Sequence, residues 1–220
     1  MKQLKLLVLG ASGNTGRRLV QMALARGHAV TAIVRPTAKV PDQEGLSIIT
    51  GDVLDPAVLE RASQGVHAVV SCLGIRKVDP SDPWSELTSP EDFTERSALT
   101  AVAAMRRNGI KRLVAISSAG IGDSWSAVDP DIRKVIETSN ISKVFHDLNK
   151  MEHALAQSRL DTLAIRPVAI VDGDETGRAR QVHRFEKGSK ITTGDIAHWM
   201  LDAVERPEVF STRYEMIGAD

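Results

Sequence analysis

The stretch LKLLVLGASGNTGRRLVQMALARG, residues 4–27, decides the architecture. Its opening run to Leu9 is almost wholly apolar and stops at Gly10, the pattern of a parallel strand buried on both faces. Leu19, Val20, Ala23 and Leu24 then recur at helical spacing until Gly27, a natural residue just past a helix end. Between strand and helix, Gly10, Gly13 and Gly16 stand three residues apart. Glycine at the first position permits a tight turn, at the second a close approach of backbone to a pyrophosphate, and at the third close packing of helix on strand. The helix that follows offers free N–H groups and the positive end of its dipole to phosphates. Glycine-rich turns join many strands to helices, but here the element on each side is the right one, which favours dinucleotide binding.

Outward from this unit the same alternation continues. Apolar strands are expected at 28–34, 46–50, 67–73, 112–118 and 161–167, with helices at 56–62, 91–109, 142–158 and 195–205. Strands that alternate with helices in this way form βαβ units with right-handed crossovers over a parallel sheet. The expected fold is therefore a doubly wound, Rossmann-type α/β sheet with helices on both faces, one domain over residues 1–220. Two stretches break the rhythm: residues 76–90, with Pro80, Pro83 and Pro90, and residues 119–140, with Gly120, Gly122, Trp125 and Pro130. Long loops after strands of such a sheet lie at its carboxyl edge, where ligands bind; surface decoration is the other reading.

Composition narrows the function classes. The 28 Lys and Arg residues cancel the 28 Asp and Glu residues, so no global field draws in nucleic acid or an anionic membrane. A lone cysteine, Cys72, forms no intrachain disulfide and builds no thiolate metal site. No apolar run approaches the roughly 18 residues of a membrane span, and the apolar N-terminal run is short and lacks a cleavage site, so a cytoplasmic protein is expected. The histidines show no metal-ligand spacing, Ser117 and Ser118 lack a nucleophile elbow, and the basic stretch 178–190 reads as a solvated hairpin or flap.

The second strand discriminates between dinucleotides. A carboxylate at its end would accept from a ribose 2′-hydroxyl, but here the strand ends in Arg35, with Lys39 one turn on. Cations at that place suit a 2′-phosphate, which favours NADP(H) over NAD(H). Asp52, after the third strand, is placed to hold an adenine edge or to cap a helix. Gly74 would let a nicotinamide ribose come close, and Arg76 either guards the mouth or is solvated.

With these residues in view, the chain resembles the atypical short-chain dehydrogenase/reductases, in particular their NmrA-like and biliverdin-IX-beta reductase/flavin reductase branch. The resemblance rests on GASGNTG at 10–16, Arg35, Lys39, GDV at 51–53, LGIR at 73–76, ISSAG at 116–120 and ITTGDIAHWML at 191–201. It implies a Rossmann-type sheet, NADPH as cofactor, and hydride transfer to a flavin or a linear tetrapyrrole. It also implies that Gly10, Ser12, Gly13, Asn14, Thr15, Gly16, Arg35, Lys39, Asp52, Val53, Leu73, Gly74 and Arg76 line the NADPH cleft, with Ser118 beside the nicotinamide.

The superfamily's catalytic Tyr and Lys stand four residues apart on a helix, so that both project from one face and the lysine lowers the phenol pKa. This chain has one tyrosine, Tyr214, near the C-terminus in an expected strand, with no lysine following. His146 and Lys150 have the i, i+4 spacing on the helix where the resemblance places that pair, and histidine donates protons near neutral pH. Lys150 could also reach cofactor ribose hydroxyls. A flavin takes hydride on its ring and a proton from water, so the missing tyrosine favours such planar acceptors. The expectation is an NADPH-dependent reductase acting on a flavin (FMN or FAD) or a related small planar molecule, a monomer or weak homo-oligomer. The alternative is an NmrA-like NADP(H)-sensing regulator that binds a protein partner without turnover.

Overall fold

The computed structural model describes residues 3–38 and 40–219. Strand β1 (Lys5–Leu9) leads through the glycine turn into α1 (Asn14–Ala25), then β2 (Ala29–Val34), β3 (Leu46–Thr50), α2 (Pro56–Ala62) and β4 (Ala68–Ser71). Next come α3 (Phe93–Arg107), β5 (Arg112–Ile116), α4 (Pro130–Thr138), α5 (Ile141–Gln157) and β6 (Asp161–Pro167). Short strands β7 (Ala169–Val171), β8 (Arg180–Gln181) and β9 (Lys190–Thr192) precede α6 (Thr193–Glu205) and β10 (Tyr214–Gly218).

The main sheet has the order β3-β2-β1-β4-β5-β6-β10-β8, parallel except where β8 meets β10. Its two faces bury different cores because strand side chains alternate. Leu6, Val8, Val30, Val114, Leu163 and Ile165 pack with α1 and α6; Leu7, Leu9, Ile33, Val69 and Leu113 pack with α2, α3 and α5. This is the doubly wound α/β arrangement expected from the alternating pattern. The chain passes from β1 to β2 and β3 on one side and returns to β4 on the other. The topological switch therefore lies between the carboxyl ends of β1 and β4, where such sheets bind ligands.

One expectation needs correction. Residues 119–140 are not one long loop, for they contain a 3-10 turn at Gly122–Ala127 and the helix α4. The start signals were present: the Asp129 carboxylate accepts from the N–H of Asp131, and Pro130 opens the helix. A nine-residue helix burying little beyond Ile136 leaves a faint apolar pattern. The basic stretch 178–190 carries its cations on the surface, as a solvated hairpin or flap would, and is anchored at two places. Its β8 closes the sheet edge, and Phe185 exchanges backbone hydrogen bonds with Ala127 and Asp129. Residues 76–90 do form a loop, cross-tied by an antiparallel bridge between Lys77 and Leu87.

Candidate functional site

Because β1 to β6 are parallel, the segments leaving their carboxyl ends share one edge of the sheet. That edge carries the glycine loop, Arg35 after β2, Asp52 and Val53 after β3, Leu73, Gly74 and Arg76 after β4, and Ser118 after β5. The structure brings these segments together; Lys39 lies outside the described residues.

The glycine turn is built as its spacing requires. Gly10 has φ +81°, and a Cβ there would stand 2.9 Å from the Cys72 carbonyl oxygen, so the loops after β1 and β4 touch at the switch point. A Cβ on Gly16 would penetrate the carbonyl group of Gly10, so helix and turn meet through glycine alone. Gly13 sits at the N-cap of α1 with no side-chain cap, and the first turn holds no acidic residue. Four other helix starts are capped by carboxylates or a hydroxyl: Asp55, Asp129 and Thr192 cap α2, α4 and α6, and Asp147 accepts from the N–H groups of Thr94 and Glu95 at the start of α3, whereas Asn140 makes no such bond at the start of α5. Ser12, Gly13 and Asn14 are exposed in front of α1, whereas Thr15 and Gly16 are buried. An uncapped helix start behind exposed small residues fits a phosphate group, so the residues present suit a dinucleotide.

Around this loop, Arg35 is exposed directly after β2. Asp52 turns its carboxylate to the N–H of Leu54 at 2.9 Å, and Val53 packs against the core on the α2 side. Leu73 is half-buried and Gly74 exposed, with no atom near the place of a Cβ. Arg76 is tied by its backbone, its N–H donating to Ser89 Oγ at 3.1 Å and its carbonyl accepting from Thr88 at 2.7 Å. Desolvation of its sulfur pushes the Cys72 thiol up to about 12, which disfavours the thiolate near neutrality.

Beyond β5, a buried polar network that the sequence did not announce fixes the turn bearing Ser118. Glu152 of α5 accepts from Ser117 Oγ at 2.5 Å and from Arg166 Nε and Nη2 at 3.0 and 2.6 Å. Arg166 Nη1 donates to Asp123 at 2.7 Å, and the Tyr214 ring lies 3.5 Å under the guanidinium. Burial alone would weaken the Arg166 charge, but Glu152 and Asp123 outweigh it and raise its pKa. Burial and the neighbouring Asp123 raise the Tyr214 phenol, so it is a poor acid. The traces in sequence were an arginine inside an apolar strand and a glutamate fourteen positions earlier, too far apart to pair by local spacing. The Ser118 hydroxyl donates only weakly, to the Ala119 carbonyl at 3.2 Å.

His146 does not join this constellation, whereas Lys150 borders the same cavity as Asp123, Glu152, Arg166 and Tyr214. The residues that α5 turns inward are Asp147, Leu148, Met151 and Leu155, with the partly buried Val144 packed against the same core. His146 lies in a shallow surface depression with Glu91, Asp92, Ser142, Lys143 and Lys150, and Lys150 Nζ stands 3.8 Å from Glu95. Among the described residues, no hydrogen bond or ion pair links either side chain to Ser118 or the glycine loop. Among them, too, no group of three or more His, Cys, Asp or Glu could hold a metal ion, and no helix is long and apolar enough to cross a membrane.

Comparison with known proteins agrees with this geometry. The chain is 24% identical over 98% of its length to a photosystem II assembly factor of Synechocystis sp., spanning 63% of that relative. It is 27% identical over 95% of its length to an oxidoreductase of Pestalotiopsis fici, spanning 81% of it. In structure it resembles a short-chain dehydrogenase/reductase from Veillonella parvula solved in complex with NADP, with a TM-score of 0.78, 16% identity, and coverage of 99% of this chain and 95% of the other. Residues 10–207 match the NAD(P)H-binding family, from the first glycine of the turn to the end of α6. The chain thus belongs to the NAD(P)H-binding family.

Proposed function

We propose that the protein is an NADPH-dependent reductase that delivers hydride to a flavin or related planar acceptor at the carboxyl edge of the sheet. The observation that carries this reading is the uncapped start of α1 behind a turn that admits only glycine at position 16. Bound there, NADPH supplies the hydride. The backbone of Ser12 to Gly16 takes the pyrophosphate, and Arg35 with Lys39 receives the 2′-phosphate through charge-assisted hydrogen bonds. Asp52 and Val53 border the adenine, while Leu73, Gly74 and Arg76 border the nicotinamide half.

Ser118, on a turn stiffened by Glu152 and Arg166, orients the reacting face with its weakly engaged hydroxyl. The apolar Val144 and Leu148 leave α5 without an inward-facing phenol and ammonium pair. That suits an acceptor that collects its proton from water, so the protein acts by orientation rather than by acid–base chemistry. The oxidoreductase name of the Pestalotiopsis fici relative agrees with this class of reaction.

The test is a parallel titration with NADPH and NADH, followed by addition of FMN while the reduced nicotinamide absorbance is recorded. Tighter binding of NADPH and its FMN-dependent oxidation are expected. Tight binding with no oxidation across flavins and quinones would replace the reductase with a sensor that binds the dinucleotide and a protein partner.

A further inference from the structure

The segment DGDETGR, residues 172–178, follows β7 and contains no apolar side chain larger than glycine's hydrogen. Polar fastenings hold it. Asp195 of α6 accepts from the N–H groups of Thr176 and Gly177 at 2.8 and 3.2 Å and from the Thr176 hydroxyl at 2.7 Å. Glu175 meets His198 Nδ1 at 2.9 Å. Asp172 and Asp174 both reach across to Arg18 of α1, at 2.9 and 3.3 Å, and Asp172 also accepts from the Thr193 hydroxyl at 2.9 Å.

Arg18 is the unusual partner. Its Nη1 also donates to the carbonyl of Asn14 at 3.4 Å, so the guanidinium lies beside the first residue of α1, where the reading above places the pyrophosphate. Two carboxylates and two phosphates would then compete for one cation. The Arg18 Nε is buried and has no partner, an incomplete satisfaction that buried donors seldom show. The pose seen here leaves the buried Nε–H idle, and turning the group toward the helix start would give it an acceptor.

We propose that Arg18 is a further phosphate-recognition residue, held off by Asp172 and Asp174 until a dinucleotide displaces them and unfastens the 172–178 segment. The inference rests on the dinucleotide reading. Coupling of this kind is reciprocal: a fastened segment weakens the cofactor by the same factor by which the cofactor loosens the segment. The pyrophosphate is common to NADPH and NADH, so both are affected alike, in contrast to any effect at Arg35.

Dissociation constants for NADP+ and NAD+ would be measured on the wild type, the Asp172→Asn/Asp174→Asn variant, Arg18→Gln, and the triple variant. The double variant alters exposed side chains, and Arg18→Lys serves as a second probe should Arg18→Gln fail to fold. The double variant is expected to bind both dinucleotides about fivefold or more tighter, and that gain is expected to vanish in the Arg18→Gln background. Trypsin, cutting after Arg178, is expected to act faster on the wild type when NADP+ is saturating. Unchanged affinity in the double variant, an equal gain without Arg18, or slower cleavage with NADP+ would overturn the proposal and leave the dinucleotide reading standing. Failure of the wild type to bind either dinucleotide would remove both.

Discussion

At the scale of single residues, the proposed preference for NADPH rests on Arg35, exposed directly after β2. Its place was legible because a strand end is fixed by the apolar run before it, and the residue there needs no distant partner. Arg35→Glu should weaken NADPH binding tenfold to a hundredfold, the range of a lost charge-assisted hydrogen bond, while NADH changes by less than about twofold. Parallel titrations read this, and an equal loss for both cofactors would refute the assignment. Arg18, Glu152 and Arg166 escaped the sequence for the converse reason: each is defined by a partner from a different element, and nothing local marks the pairing. Cys72 shows how environment overrides residue type. With its thiol pushed up to about 12, little thiolate exists near neutrality. A disulfide reagent at pH 8 should therefore modify the native protein far more slowly than the protein in urea. Comparable rates would mean that the sulfur meets solvent.

At the scale of elements, what the sequence revealed followed the strength of each periodic pattern. The strands 46–50 and 161–167 and the helix 56–62 were expected at the bounds observed, and α1, α3, α5 and α6 within a few residues, because each buries a continuous stripe. The short β7, β8 and β9 carry two or three residues apiece, too few to express an alternation. The i, i+4 argument for His146 and Lys150 identified the helix but not the face it turns inward. That face follows from packing against α3, where the buried Asp147 is spent on the helix start. A similar buried carboxylate governs α6. Burial would raise the Asp195 pKa, but hydrogen bonds from Thr176, Thr192 and Gly177 outweigh it and hold the group below the usual carboxylate range. A depressed folded-state pKa gives stability that is present above the unfolded value, about 3.9, and is lost as pH falls through the folded one. Asp195→Asn should thus cost about 2 kcal/mol above pH 5, with the two melting curves converging once the pH falls below the depressed folded-state value. A difference that persists undiminished in acid would show that the charge is not what matters.

At the scale of the whole molecule, the two cores on opposite faces of one sheet place the described candidate cofactor residues on a common edge. None of those residues needs to be near another in sequence. This was the most legible property of the chain, since a parallel sheet with right-handed crossovers follows from the βαβ rhythm. The eight-stranded sheet also has two lateral borders, and they differ. One ends in β8, two residues long, antiparallel and bearing Arg180. The other is β3, whose LSIIT sequence has no charge and no proline. Short, charged borders resist the addition of a further strand, and uncharged ones invite it. Ser47, exposed on β3, is the natural place for a guard: Ser47→Lys should delay turbidity on heating without changing cofactor affinity, whereas an unaltered onset would point to another route of aggregation. Self-association under stress should accordingly be one-sided, recruiting new strands at β3 while the β8 border stays closed.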